Sequence, residues 1–165
     1  NFNGSSTITK LVVQAGARVV IGENVTVATL VIAGGSVEAA DGTAFTTARV
    51  TGGNLTSERE ATTLDAFGGS VALDSRAGNS GTINNSGGLV RCLSGDVGTY
   101  NGYAGTLDVT ATKEVLEIGT TATVLYPAAV ILGENRTDVT ISNITREGTP
   151  LPTGAQLPGG GFSGT

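Results

Sequence analysis

Gly34-Gly35-Ser36-Val37 returns along the chain as Gly52-Gly53-Asn54-Leu55, Gly68-Gly69-Ser70-Val71 and Gly87-Gly88-Leu89-Val90. Each glycine pair leads into a small or apolar residue and then Val or Leu. Looser copies flank the series at Ala15-Gly16-Ala17-Arg18-Val19 and Ala104-Gly105-Thr106-Leu107. Taking the second glycine of each pair, the marks fall at 16, 35, 53, 69, 88 and 105, with spacings of 19, 18, 16, 19 and 17 residues. Val19-Val20-Ile21-Gly22-Glu23-Asn24 is echoed by Val130-Ile131-Leu132-Gly133-Glu134-Asn135, which places a seventh mark at Pro127.

A period near 18 residues is too short for a helical repeat or a propeller blade, which need roughly 33–45 residues. It suits one coil of a parallel β-solenoid, with three short strands joined by tight turns. Lys10-Leu11-Val12-Val13, Thr29-Leu30-Val31-Ile32 and Val124-Leu125 are β-branched or aliphatic, and Gly, Asn, Asp and Ser bound them. The expected fold is therefore all-β: a short parallel β-helix of about seven coils over residues 7–147. An antiparallel β-sandwich with Gly-rich turns is the alternative. Ser57-Glu58-Arg59-Glu60-Ala61 is the one stretch that suggests a turn of helix. Val, Ile, Leu and Ala should fill a narrow lumen, with little room for larger rings. The longer interval over residues 106–126, around Lys113-Glu114, suggests an insertion.

The composition removes several chemistries. Among 165 residues there are 26 glycines, 14% charged residues, and no His, Met or Trp. Without imidazole there is no Ser-His-Asp or Cys-His set and no histidine-ligated metal. The formal charge of −5 disfavours a nucleic-acid surface. No apolar run is long enough to span a membrane. With no Met, Asn1 reads as a processed terminus or a fragment boundary. Cys92 stands alone between Arg91 and Leu93, and reads as a small buried hydrophobe, with Arg91 on the opposite face of the strand.

Both ends of a solenoid expose an unpaired strand row and an apolar lumen, and need cover. Residues 1–6 read as an N-terminal arm in which Phe2 plugs the first coil. Residues 148–165 hold Pro150, Pro152 and Pro158 and cannot form ladder strands. They read as an extended C-terminal arm whose Leu151, Leu157 and Phe162 are spaced as pegs for a neighbour.

Carboxylates are the remaining catalytic candidates: Asp41, Glu58, Glu60, Asp65, Asp74 and Asp96. None forms an Asp-x-Asp cluster, and the aromatic platforms for sugar are Tyr100, Tyr103 and Tyr126. The Gly-Gly-x-Gly-x-Asp calcium nonapeptide is not matched. No catalytic, cofactor or metal residue is therefore assigned. A column of Thr43, Thr62, Thr82, Thr99 and Thr120 suggests a hydroxyl stack along one face. It lacks the second threonine two residues on that an ice-binding array requires, so it reads as a stabilising ladder.

The phrasing Gly-Gly-Ser-Val, Gly81-Thr82-Ile83-Asn84-Asn85-Ser86-Gly87-Gly88 and Ile21-Gly22-Glu23-Asn24-Val25-Thr26-Val27 resembles β-solenoid segments of tailed-phage virion proteins. These include capsid decoration proteins and fibre or spike modules; the repeat style is also similar to bacterial adhesin passengers. The phage resemblance implies a non-enzymatic structural protein at the virion surface, decorating or cementing the capsid. It also implies a homo-oligomer, commonly a trimer, in contact with the major capsid protein or other virion proteins, with no cofactor, nucleic acid or membrane. The rival expectations are a carbohydrate-binding or carbohydrate-cleaving β-helix and an extracellular adhesin fragment.

Overall fold

The structure, a computed structural model, describes residues 5–59, 61–74, 80–111, 116–125, 128–131, 139–141 and 144–147. Twelve strands follow one another: β1 Ser6–Gln14, β2 Arg18–Ile21, β3 Val25–Ala39, β4 Ala44–Ser57, β5 Ala61–Ala66, β6 Ser70–Asp74, β7 Ser80–Ser94, β8 Val97–Asp108, β9 Leu116–Leu125, β10 Ala129–Ile131, β11 Val139–Ile141 and β12 Ile144–Glu147. Every pairing among them is parallel, in the order β1-β3-β4-β5-β7-β8-β9-β11, with β2, β6, β10 and β12 off that path. The protein is a β-solenoid, and the sandwich alternative is excluded. Glu58 and Arg59 form a bend between β4 and β5; the residues described there make no helical turn.

One column shows the stacking. Leu11, Leu30, Ala48, Leu64, Ile83 and Tyr100 point inward and are successive register partners, and Tyr100 pairs in turn with Ala122, giving seven rungs separated by six turns. At ~4.8 Å per step the stack is roughly 29 Å tall.

The coil is three-sided because the in–out alternation slips phase twice. Along β3, Val25 and Val27 are buried, then Leu30 and Ile32, then Val37 and Ala39. Strict alternation would put residues 27 and 30 on opposite faces. Both point inward because the chain bends at Ala28-Thr29, and a second bend at Ala33-Gly34-Gly35 leads into the third side. Ala40–Thr43 closes the triangle before β4. We call residues 25–27, 30–32 and 36–39, and their partners in other coils, the first, second and third faces.

The glycine marks lie on the second bend. Ser36 pairs with Asn54, Asn54 with Ser70, Ser70 with Leu89 and Leu89 with Thr106, so Gly35, Gly53, Gly69, Gly88 and Gly105 form one column. A Cβ on Gly53 would fall on the carbonyl oxygen of Gly35, and one on Gly105 would lie 2.5 Å from that of Gly88. The end marks slip by one: Arg18 pairs with Ser36 and Ala129 with Thr106, which puts Ala17 and Ala128 where Gly16 and Pro127 were expected. The suspected insertion falls between β8 and β9, where Thr99 pairs with Thr121, a longer step than any preceding one.

The lumen is a continuous apolar core, as its aliphatic composition implies. It also admits rings. Phe45 is 3% exposed opposite Ala61, and Tyr100 is fully buried. Small neighbours make the room: a Cβ on Gly102 would lie 2.9 Å from the Tyr100 ring.

Candidate functional site

Among the described residues the lumen is lined by buried, mostly apolar side chains, and the outer columns are what they offer to others. On the second face, one outward column runs Val12, Val31, Arg49, Asp65, Asn84, Asn101 and Thr123. Its middle is a hydrogen-bonded ladder. The Asn84 Nδ2 donates to Asp65 Oδ1 at 2.9 Å, and the Asn101 Nδ2 donates to Asn84 Oδ1 at 2.9 Å. Parallel in-register pairing brings identical amide groups one above the other, so each amide satisfies its neighbour.

Two rings stand beside this ladder. Phe67 follows inward Ala66, and Tyr103 follows inward Gly102; Ala66, Asn85 and Gly102 share a column, so both rings come at the second bend two coils apart, Tyr103 where the register shifts and Ser86 pairs with Ala104. Each is 45% exposed. The Arg49 guanidinium lies 4.6 Å from the Phe67 ring centroid, a cation–π contact that draws the ring toward the second face.

The opposite border of the face carries a threonine column that departs from the expected one at three of its five positions. Thr29, Thr47, Thr63, Thr82, Thr99 and Thr121 are consecutive register partners, below which stands Lys10. Thr82 and Thr99 are as expected. Thr63 and Thr121 take the register positions expected of Thr62 and Thr120, because a one-residue slip in a doublet changes which member pairs with the next coil. Thr43 belongs to the third corner, buried, its Oγ1 donating to the Gly22 carbonyl at 3.1 Å.

The carboxylate candidates that are described each hold a hydrogen bond or an ion pair. At the third corner the Asp41 amide donates to Glu58 Oε2 at 3.3 Å, and Arg59 Nε lies 3.5 Å from Asp41 Oδ1. Asp65 belongs to the amide ladder, Asp74 Oδ1 accepts from Ser94 at 2.8 Å, and Asp96 Oδ1 accepts from the Glu117 amide at 2.9 Å. Glu60 lies outside the described residues. Among the described residues no three His, Cys, Asp or Glu side chains gather into a metal-sized group, and no helix is long and apolar enough to cross a membrane.

Ion pairs tie the third face. Arg18 Nη2 meets Glu38 Oε1 at 2.7 Å, and Arg91 Nε meets Asp108 Oδ2 at 3.3 Å. Burial raises the Asp108 carboxyl pKa, but hydrogen bonds from the Thr110 hydroxyl and amide, with Arg91, outweigh it and hold the group below its ordinary value. Cys92 is buried, and burial pushes its thiol up to about 12, which removes the thiolate needed for reactivity.

Of the aromatic candidates, Tyr100 is in the lumen, Tyr103 is on the surface and Tyr126 lies outside the described residues. Phe67 was missed; the signal for it was its place between an inward Ala66 and the Gly68-Gly69 bend. The four partner-anchoring candidates, Phe2, Leu151, Leu157 and Phe162, and the arm of residues 148–165 that carries three of them, also lie outside the described residues. No family model, curated protein or solved structure matches this chain.

Proposed function

We propose that the chain is a non-enzymatic structural protein of a virus particle, a rigid solenoid that decorates or cements the capsid. The observation that carries the structural part is the run of parallel register partners from Leu11 to Ala122, which stacks each coil on its neighbours around a buried apolar core. A body of this kind acts through its outer faces. The virion location rests on the phage-like repeat style, as do the homotrimer and the contact with the major capsid protein or other virion proteins. In this reading residues 148–165 are the anchoring arm, with Leu151, Leu157 and Phe162 seated in shell proteins. Many weak, equivalent attachments across a lattice then add through avidity.

The test is immunogold microscopy with antibody raised against the chain, joined to sedimentation of the purified protein. Labelled particles and a mass three times that of the chain are expected, with labelling lost when residues 148–165 are deleted. Label on cell envelopes alone would favour the adhesin. Release of reducing sugar that depends on Glu58, Asp65 or Asp74 would overturn the non-enzymatic reading.

A further inference from the structure

The geometry points to the second face, between the Phe67–Tyr103 edge and the threonine column, as a binding strip for a neutral, extended polysaccharide lying along the solenoid axis. This is independent of where the protein resides.

Three observations converge on that occupant. The first is the pair of rings. Phe67 and Tyr103 are two coils apart on one edge, roughly 10 Å along the axis, and each is 45% exposed. Sugar rings present flat C–H faces that pack on aromatic faces, and a ribbon-like chain repeats such faces at regular intervals. Arg49, in the outward column of the strip itself, lies over one face of the Phe67 ring.

The second observation is unused hydrogen-bonding capacity. Asn84 spends one Nδ2 hydrogen on Asp65 and one Oδ1 lone pair on Asn101. An amide carries two donors and two acceptor sites. Half of the Asn84 capacity is therefore left, and the half-buried ladder holds these groups at fixed positions. Hydroxyl pairs, which both donate and accept, match such a set; a purely cationic or anionic ligand does not. Pre-ordered polar groups also lose little freedom on binding.

The third is charge. Arg49 and Asp65 are register partners and their formal charges cancel, while Asn84 and Asn101 are neutral. On the coils of Arg49 to Asn101 the strip therefore carries no net formal charge to attract an anionic polymer; Lys10 stands below Thr29 at its end, and the chain as a whole carries −5.

Affinity electrophoresis tests the assignment, with the full chain run through native gels containing hydroxyethyl cellulose, soluble xylan or alginate. The neutral, extended polymers should retard the wild type, and alginate should not. Phe67→Ala combined with Tyr103→Ala should weaken retardation at least tenfold, whereas Tyr103→Phe and the third-face variant Glu38→Ala should leave it unchanged. Circular dichroism keeps folding separate, since both rings are surface groups. Retardation by none of the polymers, retardation by alginate alone, or retardation that survives the double substitution overturns the proposal. So does a loss of oligomer mass in the double variant, which would make the strip an interface between copies.

Discussion

Asn85 donates its Nδ2 to the Tyr100 hydroxyl at 3.3 Å inside the lumen, joining two polar side chains of adjacent coils within an apolar core. The same Nδ2 donates to the Thr106 carbonyl at 3.1 Å, while Oδ1 accepts from the Gly87 and Gly88 amides at 3.3 and 2.9 Å. Asn85 thus satisfies the backbone where the chain turns the second bend. Asn85→Ala should cost about 3 kcal/mol, because it leaves several buried groups unpaired. Tyr100→Phe should cost only about 1 kcal/mol, since Asn85 keeps its other partners. Urea unfolding of both variants and the double variant measures the coupling directly.

The glycine column yields a paired prediction. Gly53 has φ +82° and its missing Cβ would collide with the Gly35 carbonyl. Gly16 has nearly the same φ, +81°, but a Cβ there meets nothing within 4 Å. Gly16→Ala should therefore cost only the left-handed backbone penalty, roughly 1–2 kcal/mol. Gly53→Ala adds a backbone clash that two stacked coils must open to relieve, and should exceed it by about 2 kcal/mol or more. Equal thermal midpoints for the two variants would show that the column does not stack as described.

The column was legible in the sequence because glycine is demanded there by geometry, and the demand repeats with every coil. Its four central spacings are the strand offsets themselves. The threonine column was half legible. Thr46-Thr47, Thr62-Thr63 and Thr120-Thr121 are doublets, and composition cannot tell which member faces a neighbour; only the phase of Phe45 and Ala48, both inward, decides it. The second-face strip was the least legible. Arg49, Asp65 and the two asparagines Asn84 and Asn101 become one surface only through register. Phe67 and Tyr103 sit on coils of different length, so no fixed period links them. Tyr100 illustrates a different limit: a ring expected outside is accommodated within by a glycine two residues later.

Alkaline pH should weaken the fold through two lumen groups. Burial pushes Cys92 from 9.0 up to about 12. Burial likewise pushes Tyr100 from 10.0 up to about 12; the Asn85 hydrogen bond opposes this and the Cys92 charge adds to it. Both are neutral in the folded state, so their contribution is complete below the unfolded values and is lost as pH rises toward 12. Urea midpoints should be flat near pH 8 and fall progressively above pH 9. In Cys92→Ala the fall should start about one pH unit later, leaving only the tyrosine leg. Native Cys92 should resist a thiol reagent at pH 8 and react on unfolding.

Acid acts on the third face, through Asp108. Its folded pKa lies below the ordinary carboxylate value of 3.8, so the ionised form is the one the fold prefers. For a depressed acid the stabilisation is present above the unfolded pKa and disappears as pH falls through the folded one. The loss should therefore be confined to pH below about 4. Asp108→Asn should lower stability at neutral pH, because the Arg91 ion pair and the charge-assisted bonds from Thr110 go, and should flatten the decline below pH 4. Arg91→Ala should remove only part of the acid-labile term, since Thr110 still donates twice, from its hydroxyl at 2.7 Å and its amide at 3.0 Å. Thermal midpoints of the three proteins between pH 2.5 and pH 7 distinguish these outcomes: an Arg91→Ala profile as flat as that of Asp108→Asn would mean that the ion pair alone holds the carboxylate.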